Sequence, residues 1–298
     1  MQIETLKIFC DILETRSFSK AASLNYISQS AVSQQVRGLE ERYDRKLIER
    51  GKRTLTATQA GDVLYEGAKE ILEKFNSMEN RLQVLSDSIA GTLRVATVYS
   101  VGLHELPPYL KAFMRRYPAA NVRLEYSRSN RIYDDVSAGT VDIGIVAYPV
   151  RRSGLEILPF REDTLVVICP PDHELASKRS VHVTDLARQS FVGFERDVPT
   201  RRNIDRLFRQ HSTTVEMAME FDNIETIKRA VEVEAGISIV PLISVQSETK
   251  LGTLVAIPFA DESLMRNLGI LVRKGREHTQ AMDKFVELLQ SDEVKLDF

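Results

Sequence analysis

The chain has 298 residues and a mass of 33.8 kDa, a length that suits two domains and can bury roughly three quarters of the unfolded surface. Hydrophobic residues make up 43% and charged residues 28%, an ordinary globular balance that excludes a disordered chain. Two distant cysteines, Cys10 and Cys169, argue against a disulfide-built secreted domain. Glu4, Lys7 and Asp11 interrupt any apolar leader, and no stretch approaches the roughly 18 apolar residues of a membrane span. A soluble, cytoplasmic protein is expected. The net charge of -2 hides an asymmetry: residues 1–60 carry 10 basic against 7 acidic side chains, the remainder 30 against 35. A basic head on an acidic body suggests a modular protein whose N-terminal end meets an anionic partner.

Helical spacing starts at once, with Leu6, Phe9, Cys10 and Leu13 on one face. Ser17 can cap a short second helix, SKAASLN, in which Ala21 and Ala22 permit close packing. Asn25 and Tyr26 make a turn, and Ser28 caps a third helix running from Gln29 towards Arg42. On it Val32, Val36 and Leu39 share one face, while Ser30, Ser33, Gln34 and Arg37 share the other. A short-stemmed, hydrogen-bonding stripe tipped with a cation is what a helix in a DNA major groove requires. Any one of these residues would also fit a solvated surface; the compact helix–turn–helix around them favours DNA. Beyond it, extended pieces near Leu47–Arg50 and Arg53–Thr56 flank Gly51 and Lys52. They form a hairpin-like wing whose Arg50, Lys52 and Arg53 can follow a phosphate backbone or enter a minor groove.

The run SFSKAASLNYISQSAVSQQVRGLEERYDRKLIER…LTATQAG resembles the winged helix–turn–helix of LysR-type transcriptional regulators. The matching positions include Phe18, Ala21, Ala22, Leu24, Ser28, Gln29, Ser30, Ala31, Val32, Ser33, Gln34, Leu39, Glu40, Glu41, Leu47, Arg50, Thr58, Ala60 and Gly61. Asp44 stands where that family usually has Gly, Ile48 where Phe is usual, and Ala57 where Leu is usual. These departures bear on a turn and on wing packing. The face expected to meet DNA comprises Ser28, Gln29, Ser30, Ser33, Gln34 and Arg37, with Arg50, Lys52 and Arg53 from the wing.

From Gln59 to Ser88 there is no proline. Leu64, Ala68, Ile71, Phe75, Met78, Leu82 and Leu85 recur at alternating steps of four and three, the 3.5-residue period of a coiled-coil seam. One long helix packed on its own domain is the alternative; a seam this regular favours self-association. In the resembling family this helix pairs two subunits, which implies a homodimer on an interrupted inverted repeat of double-stranded DNA. Tetramers, and contact with RNA polymerase in an activator, are likewise implied by the resemblance. Ile89–Thr92 reads as an exit hinge.

From Thr92 onward strand-like runs (93–98, 122–126, 141–148, 165–169, 191–194, 215–221, 237–240, 268–272) alternate with helix-like ones (103–116, 130–138, 201–211, 223–235, 277–290). This predicts an α/β body with largely parallel sheets. The resemblance continues in VGLHELPPYLKAFMRRYP, AGTVDIGIV and NIETIKRAVEVEAGISIVP. It implies two periplasmic-binding-protein-like lobes with a small effector between them. The expected organisation is a head at 1–58, a linker helix at 59–90 and a regulatory body at 91–298. Lobe I takes 92–160 plus 266–298, and lobe II takes 161–265.

Ligands of open α/β lobes sit beyond the carboxyl ends of strands, facing helix N-termini. That places Ser100, Val101, Arg128, Ser129, Ala147, Tyr148, Thr200 and Arg201 at the effector site. Arg128, Arg131, Arg201 and Arg202 at the rims favour an anion; the competing reading pairs them with Asp134, Asp135, Glu195 or Asp197. His104, His173, His182, His211 and His278 lack metal-ligand spacing. No dinucleotide, Walker or nucleophile-elbow motif is present. No metal, cofactor or catalytic residue is therefore expected. The reading is a sequence-specific regulator modulated by a small metabolite. Its rivals are an architectural DNA-binding protein without effector and a DNA-recruited enzyme.

Overall fold

The computed structural model describes residues 2–50, 55–84, 89–260, 264–275 and 277–294. The chain divides into two compact units, 1–86 and 87–298.

In the first unit, α1 (Ile3–Thr15), α2 (Phe18–Leu24) and α3 (Gln29–Tyr43) precede a two-stranded antiparallel sheet of β1 (Ile48–Arg50) and β2 (Leu55–Ala57). The long α4 (Gln59–Val84) follows. Both expected caps are present: Ser17 Oγ accepts the Lys20 amide and Ser28 Oγ accepts the Ala31 amide, each such cap contributing about 1 kcal/mol. The core gathers Ile8, Phe9 and Ile12 of α1 with Ala21 and Ala22 of α2 and Val32, Val36 and Leu39 of α3. Leu6 and Cys10, on the adjacent side of α1, pack against Ala68 of α4. This second contact is why α1 buries more than the single stripe expected, while Leu13 is only half-buried.

Two backbone positions govern how the wing joins α3 and α4. Asp44 caps α3 in the left-handed region (φ 48°), donating its amide to the carbonyls of Glu40 and Glu41. That conformation suits glycine best and aspartate better than most side chains, which explains how the chain tolerates its departure there. At Gly61 a Cβ would stand 2.0 Å from the Leu47 carbonyl oxygen, so the start of α4 can lie against the entrance to the wing only because no side chain intervenes.

In the second unit, lobe I is a sheet with strand order β4–β3–β5–β11–β6. Its strands are β3 (Gly91–Thr97), β4 (Ala120–Tyr126), β5 (Ile143–Ala147), β6 (Leu155–Cys169) and β11 (Met265–Arg273). One face packs α6 (Pro107–Arg116) and α11 (Gln280–Gln290) around Phe113 and Phe285. The other packs α7 (Ser129–Ala138) through Ile132, Tyr133 and Val136. The short α5 (Tyr99–His104) follows β3. In lobe II β6 is flanked by β9 (Ser238–Pro241) and β10 (Val255–Ile257), with a parallel pair β7 (Ser190–Phe194) and β8 (Glu216–Phe221) beside them. Helices α8 (Pro199–Gln210), α9 (Ile224–Glu232) and α10 (Gln246–Leu251) complete this lobe.

The body is mixed, which corrects the expectation of largely parallel sheets. β3 runs parallel to β4 and β5, but β5–β11, β11–β6, β6–β9 and β6–β10 are antiparallel. The reason is the crossing: β6 carries the chain out of lobe I and β11 brings it back. β6 pairs with β11 from Leu155 to Thr164, then with β9 from Leu165 onward. The lobes thus exchange at Thr164/Leu165 and Leu264/Met265, a few residues inside the expected lobe II. The first half of β6 escapes the periodicity because Pro159, Arg161, Glu162 and Asp163 break its apolar pattern.

Two substitutions in the head should act in opposite directions. Asp44→Gly should stabilise it by about 1 kcal/mol by relieving the left-handed strain. Gly61→Ala should destabilise it by about 1–3 kcal/mol through the clash with Leu47. Urea denaturation followed by circular dichroism reads both; equal midpoints or the reverse order would contradict the packing described.

Candidate functional sites

The first candidate site is the outer face of α3. Gln29, Ser30, Gln34 and Arg37 are exposed, Ser33 is half-buried, and the exposed Ser28 is held as the cap with its hydroxyl 2.8 Å from Ser30 Oγ. The Arg37 guanidinium is 79% exposed and its Nε lies 3.3 Å from Glu41 Oε1, a surface pair that a phosphate or a base edge can displace. Glu40 joins this helix to the wing: it accepts the Leu47 amide (3.0 Å) and pairs with Lys46 Nζ (2.7 Å). Burial raises the Glu40 pKa, but Lys46 and the amides of Leu47 and Ile48 outweigh it and hold the carboxyl below the usual range. The strand carrying Arg50 is described; Lys52 and Arg53 lie outside the described residues.

The expected helix seam divides. Ala68 is fully buried and Leu64 half-buried against the chain's own α1. Lys69 Nζ and Tyr65 Oη also fasten α4 to Glu14 of α1 at 2.8 and 3.0 Å. Leu64 and Ala68 therefore serve the head, which corrects their assignment to the dimer seam. Further along, Ile71, Met78 and Leu82 are 47%, 48% and 59% exposed and Phe75 is half-buried. Leu85 lies outside the described residues.

The second candidate site is a cleft between the lobes of the body, with an empty volume of about 650 Å³, open solvent included. Of the residues expected there, Ser100, Arg128, Ser129, Ala147 and Thr200 line it. Val101 does not: it is buried in the lobe I core. Tyr148 leans into that same core, with its backbone left-handed (φ 50°) and its amide bound to the Asn267 carbonyl. Arg201 is 6% exposed and held by Asp205 (2.7 Å), Glu220 (2.6 Å) and the Phe194 carbonyl (2.6 Å). It braces lobe II from within. Arg128 reaches from lobe I to three carboxylates of lobe II, Glu195, Asp197 and Asp222, at 2.9–3.2 Å. Ion pairing thus describes Arg201, Arg128 and also Arg131, which meets Asp135.

The N-termini of α7, α8 and α9 all open on the cleft. Asn223 caps α9 by accepting the Thr226 amide. Neither α7 nor α8 has a side-chain cap; the first turn of α7 leaves the amides of Ser129 and Asn130 uncapped at the cleft lining, whereas α8 opens on Pro199, which has no N–H, and has its first amide there at Thr200. At its base lies Arg266 of β11, 1% exposed, which the sequence reading missed. Arg266 Nη1 donates to Ser100 Oγ at 2.9 Å and Nη2 to Asp163 at 2.6 Å, while Nε is buried without an acceptor. An arginine in β11 just before its apolar run was the available signal.

One further ionic group ties the lobes. His104 of α5 meets Glu225 of α9 at 2.8 Å, and Glu225 meets the buried Lys228, which also holds Glu248. Burial foremost keeps the His104 pKa low, against the pull of Glu225. Glu105, 1% exposed, sits 3.7 Å from Arg161. Cys10 and Cys169 are buried, and burial foremost pushes their thiols up to about 12 and about 11. Among the described residues no cluster of His, Cys, Asp and Glu could hold a metal, and no helix is long and apolar enough to cross a membrane.

Residues 3–62 match the family described as "Bacterial regulatory helix-turn-helix protein, lysR family", and residues 86–293 the "LysR substrate binding domain". A RuBisCO operon transcriptional regulator of Allochromatium vinosum is 28% identical over 99% of this chain and 98% of its own length. A probable RuBisCO transcriptional regulator of Cyanophora paradoxa is 31% identical over 98% and 94%. Among solved structures, a full-length OxyR variant from Pseudomonas aeruginosa superposes with a TM-score of 0.74 at 22% identity, covering 97% of this chain and 93% of that one. The regulatory domain of Synechocystis CcmR in complex with 2-PG superposes with a TM-score of 0.62 at 26% identity, covering 67% and 96%. With a helix–turn–helix head and a two-lobed body both matched, the chain belongs to the LysR family of transcriptional regulators.

Proposed function

We propose that this LysR-type regulator works in the cytoplasm as a homodimer whose grip on DNA is set by a small anion bound between the lobes of its body. One observation carries the ligand half of the proposal. The uncapped N-termini of α7 and α8 and the buried guanidinium of Arg266, held by Ser100 and Asp163 but with its Nε unanswered, open on one cleft, which gathers N–H donors and positive charge. Ser100, Ser129 and Thr200 add hydroxyls that line the same space. The CcmR domain in complex with 2-PG supports a small-molecule role for a body of this fold.

On the DNA side, Gln29, Ser30, Ser33, Gln34 and Arg37 read or steady the major groove, and the wing follows the backbone. The exposed Ile71, Met78 and Leu82, with Phe75, form the subunit seam. Burying them against a second α4 sets two α3 helices on one duplex and calls for an interrupted inverted repeat. Ligand and DNA affinities are then reciprocally linked, whichever the sign of the coupling.

Fluorescence anisotropy on the chain's own upstream intergenic DNA against a scrambled duplex, across a salt series, tests this reading. Preference for the native duplex is expected. Arg37→Ala should weaken that preference by about 1–3 kcal/mol if the side chain reads a base. A uniform, salt-dependent loss on both duplexes would make it a phosphate contact, and unchanged binding would remove it from the interface. The double variant Met78→Glu and Leu82→Glu should halve the mass measured by light scattering and lower DNA affinity together. A dimer of unchanged mass would place the seam elsewhere.

A further inference from the structure

The base of the cleft is a buried ionic cluster built where β6 and β11 cross between the lobes. Its members are Arg266 on β11, Arg161 and Asp163 on β6, and Glu105 just after α5. Arg266 belongs to the cleft lining through its contact with Ser100, and it grips Asp163 at 2.6 Å on its other side. Arg161 donates to Tyr109 Oη of α6 at 2.9 Å and stands 3.7 Å from Glu105 Oε2. Asp163 is answered by hydrogen bonds from Arg266 and from the Thr164 amide. Glu105 is not so served: its Oε2 is buried with no hydrogen-bond partner. Neighbouring His104 turns away to Glu225 on lobe II.

With both carboxylates ionised, two arginines balance two acids among the described residues of this cluster. An oxyanion arriving on Arg266 adds a third negative charge in a water-poor site, where like charges repel strongly. The cheapest relief is a proton from solvent onto the acid with the fewest hydrogen bonds, and that acid is Glu105. We infer that the cleft is a proton-coupled oxyanion receptor: the ligand's carboxylate, sulfate or phosphate group binds Arg266 at the base of the cleft, and Glu105 takes up a proton as it does so. The inference rests on the proposed anion-binding role of the cleft and adds a residue and a regulating variable to it. Glu105 is a positioning residue, acting on the ligand through Arg266 and Asp163.

Its ordinary state fits that task. Burial first, then the charge of Asp163, push the Glu105 pKa up to about 7, against the pull of Arg161 and Arg266. Below that pH the cluster already carries a net positive charge and accepts an anion directly. Above it each anion must draw a proton, so affinity falls as pH rises. The regulator would thus sense its ligand more keenly in a more acidic cell.

Isothermal titration calorimetry on the full-length protein, with sulfate and separately with glycolate, tests this. Both probes stay fully ionised between pH 6 and 8, so ligand titration does not enter. For whichever probe saturates, Kd should be about tenfold weaker at pH 8 than at pH 6, the loss expected for one group titrating near 7. Repeating the pH 8 titration in buffers of different ionisation enthalpy should show close to one proton taken up per anion. Glu105→Gln, which mimics the protonated acid, should keep the pH 6 affinity across the whole range and take up no proton. A flat wild-type profile, or the same slope in Glu105→Gln, would overturn the coupling and leave the anion site standing. The second of these would point to His104. Saturation by neither probe at pH 6 would overturn the anion site and the coupling with it.

Discussion

The regulatory body depends on one pair of strands. β6 and β11 run antiparallel through lobe I, and β6 continues without a break into lobe II. Both lobes therefore share a backbone that neither can abandon, and the cleft between them opens beside that shared element. The ionic residues follow from the same constraint. A strand passing from one core to another leaves both cores at the crossing, and Arg161, Asp163 and Arg266 occupy the stretch where the apolar pattern lapses. Burying them requires that each charge meet another, because an unpaired buried charge costs several kcal/mol. The pairing is nearly complete. Its gaps are Arg266 Nε and Glu105 Oε2, buried without a hydrogen-bond partner, and on them the proposed anion and proton binding rest.

The head obeys a simpler economy of faces. α1 is buried on two sides, by α2 and α3 on one and by α4 on the other. α3 can therefore present one entire polar face outward while its apolar residues hold the unit together. The first turns of α4 are held to α1 through Leu64 and Ala68, with Val63 exposed on the other side, and the later turns leave Ile71, Met78 and Leu82 exposed. An isolated helix would gain nothing from exposed Ile71, Met78 and Leu82, whereas a second copy would bury all three. A helix that reads as one uniform repeat is thus buried against its own head along its first turns and exposed along its later ones.

How much of this was legible in sequence depends on range. Caps, turns and helix faces rest on residues a few positions apart, so Ser17, Ser28 and the α3 stripe were readable directly. The seam was over-read at Leu64 and Ala68 because a heptad pattern does not say which neighbour fills it. Strand direction was misjudged for a related reason: periodicity marks a strand but not its partner, and β6 pairs with three others. The lining of the cleft was half legible. Ser100, Arg128, Ser129, Ala147 and Thr200 lie where strands end and helices begin, a local signature, whereas Val101 and Tyr148 turn into the core. Arg201 resembled a ligand residue although Asp205 stands four positions along the same helix; its other acid, Glu220, is brought to it only by folding. Arg266 was overlooked because its meaning comes from Ser100 and Asp163, both more than one hundred residues away in sequence.

On this reading Arg266 and the N-termini of α7 and α8 together hold an anion at the base of the cleft. The most direct measurement is an anomalous difference map, at the selenium edge, of crystals of the full-length protein grown in millimolar selenate at pH 6. A peak is expected inside the cleft within about 3 Å of the Arg266 guanidinium, facing the start of α7 or α8. Peaks confined to exposed arginines and lysines, with the cleft empty, would contradict it.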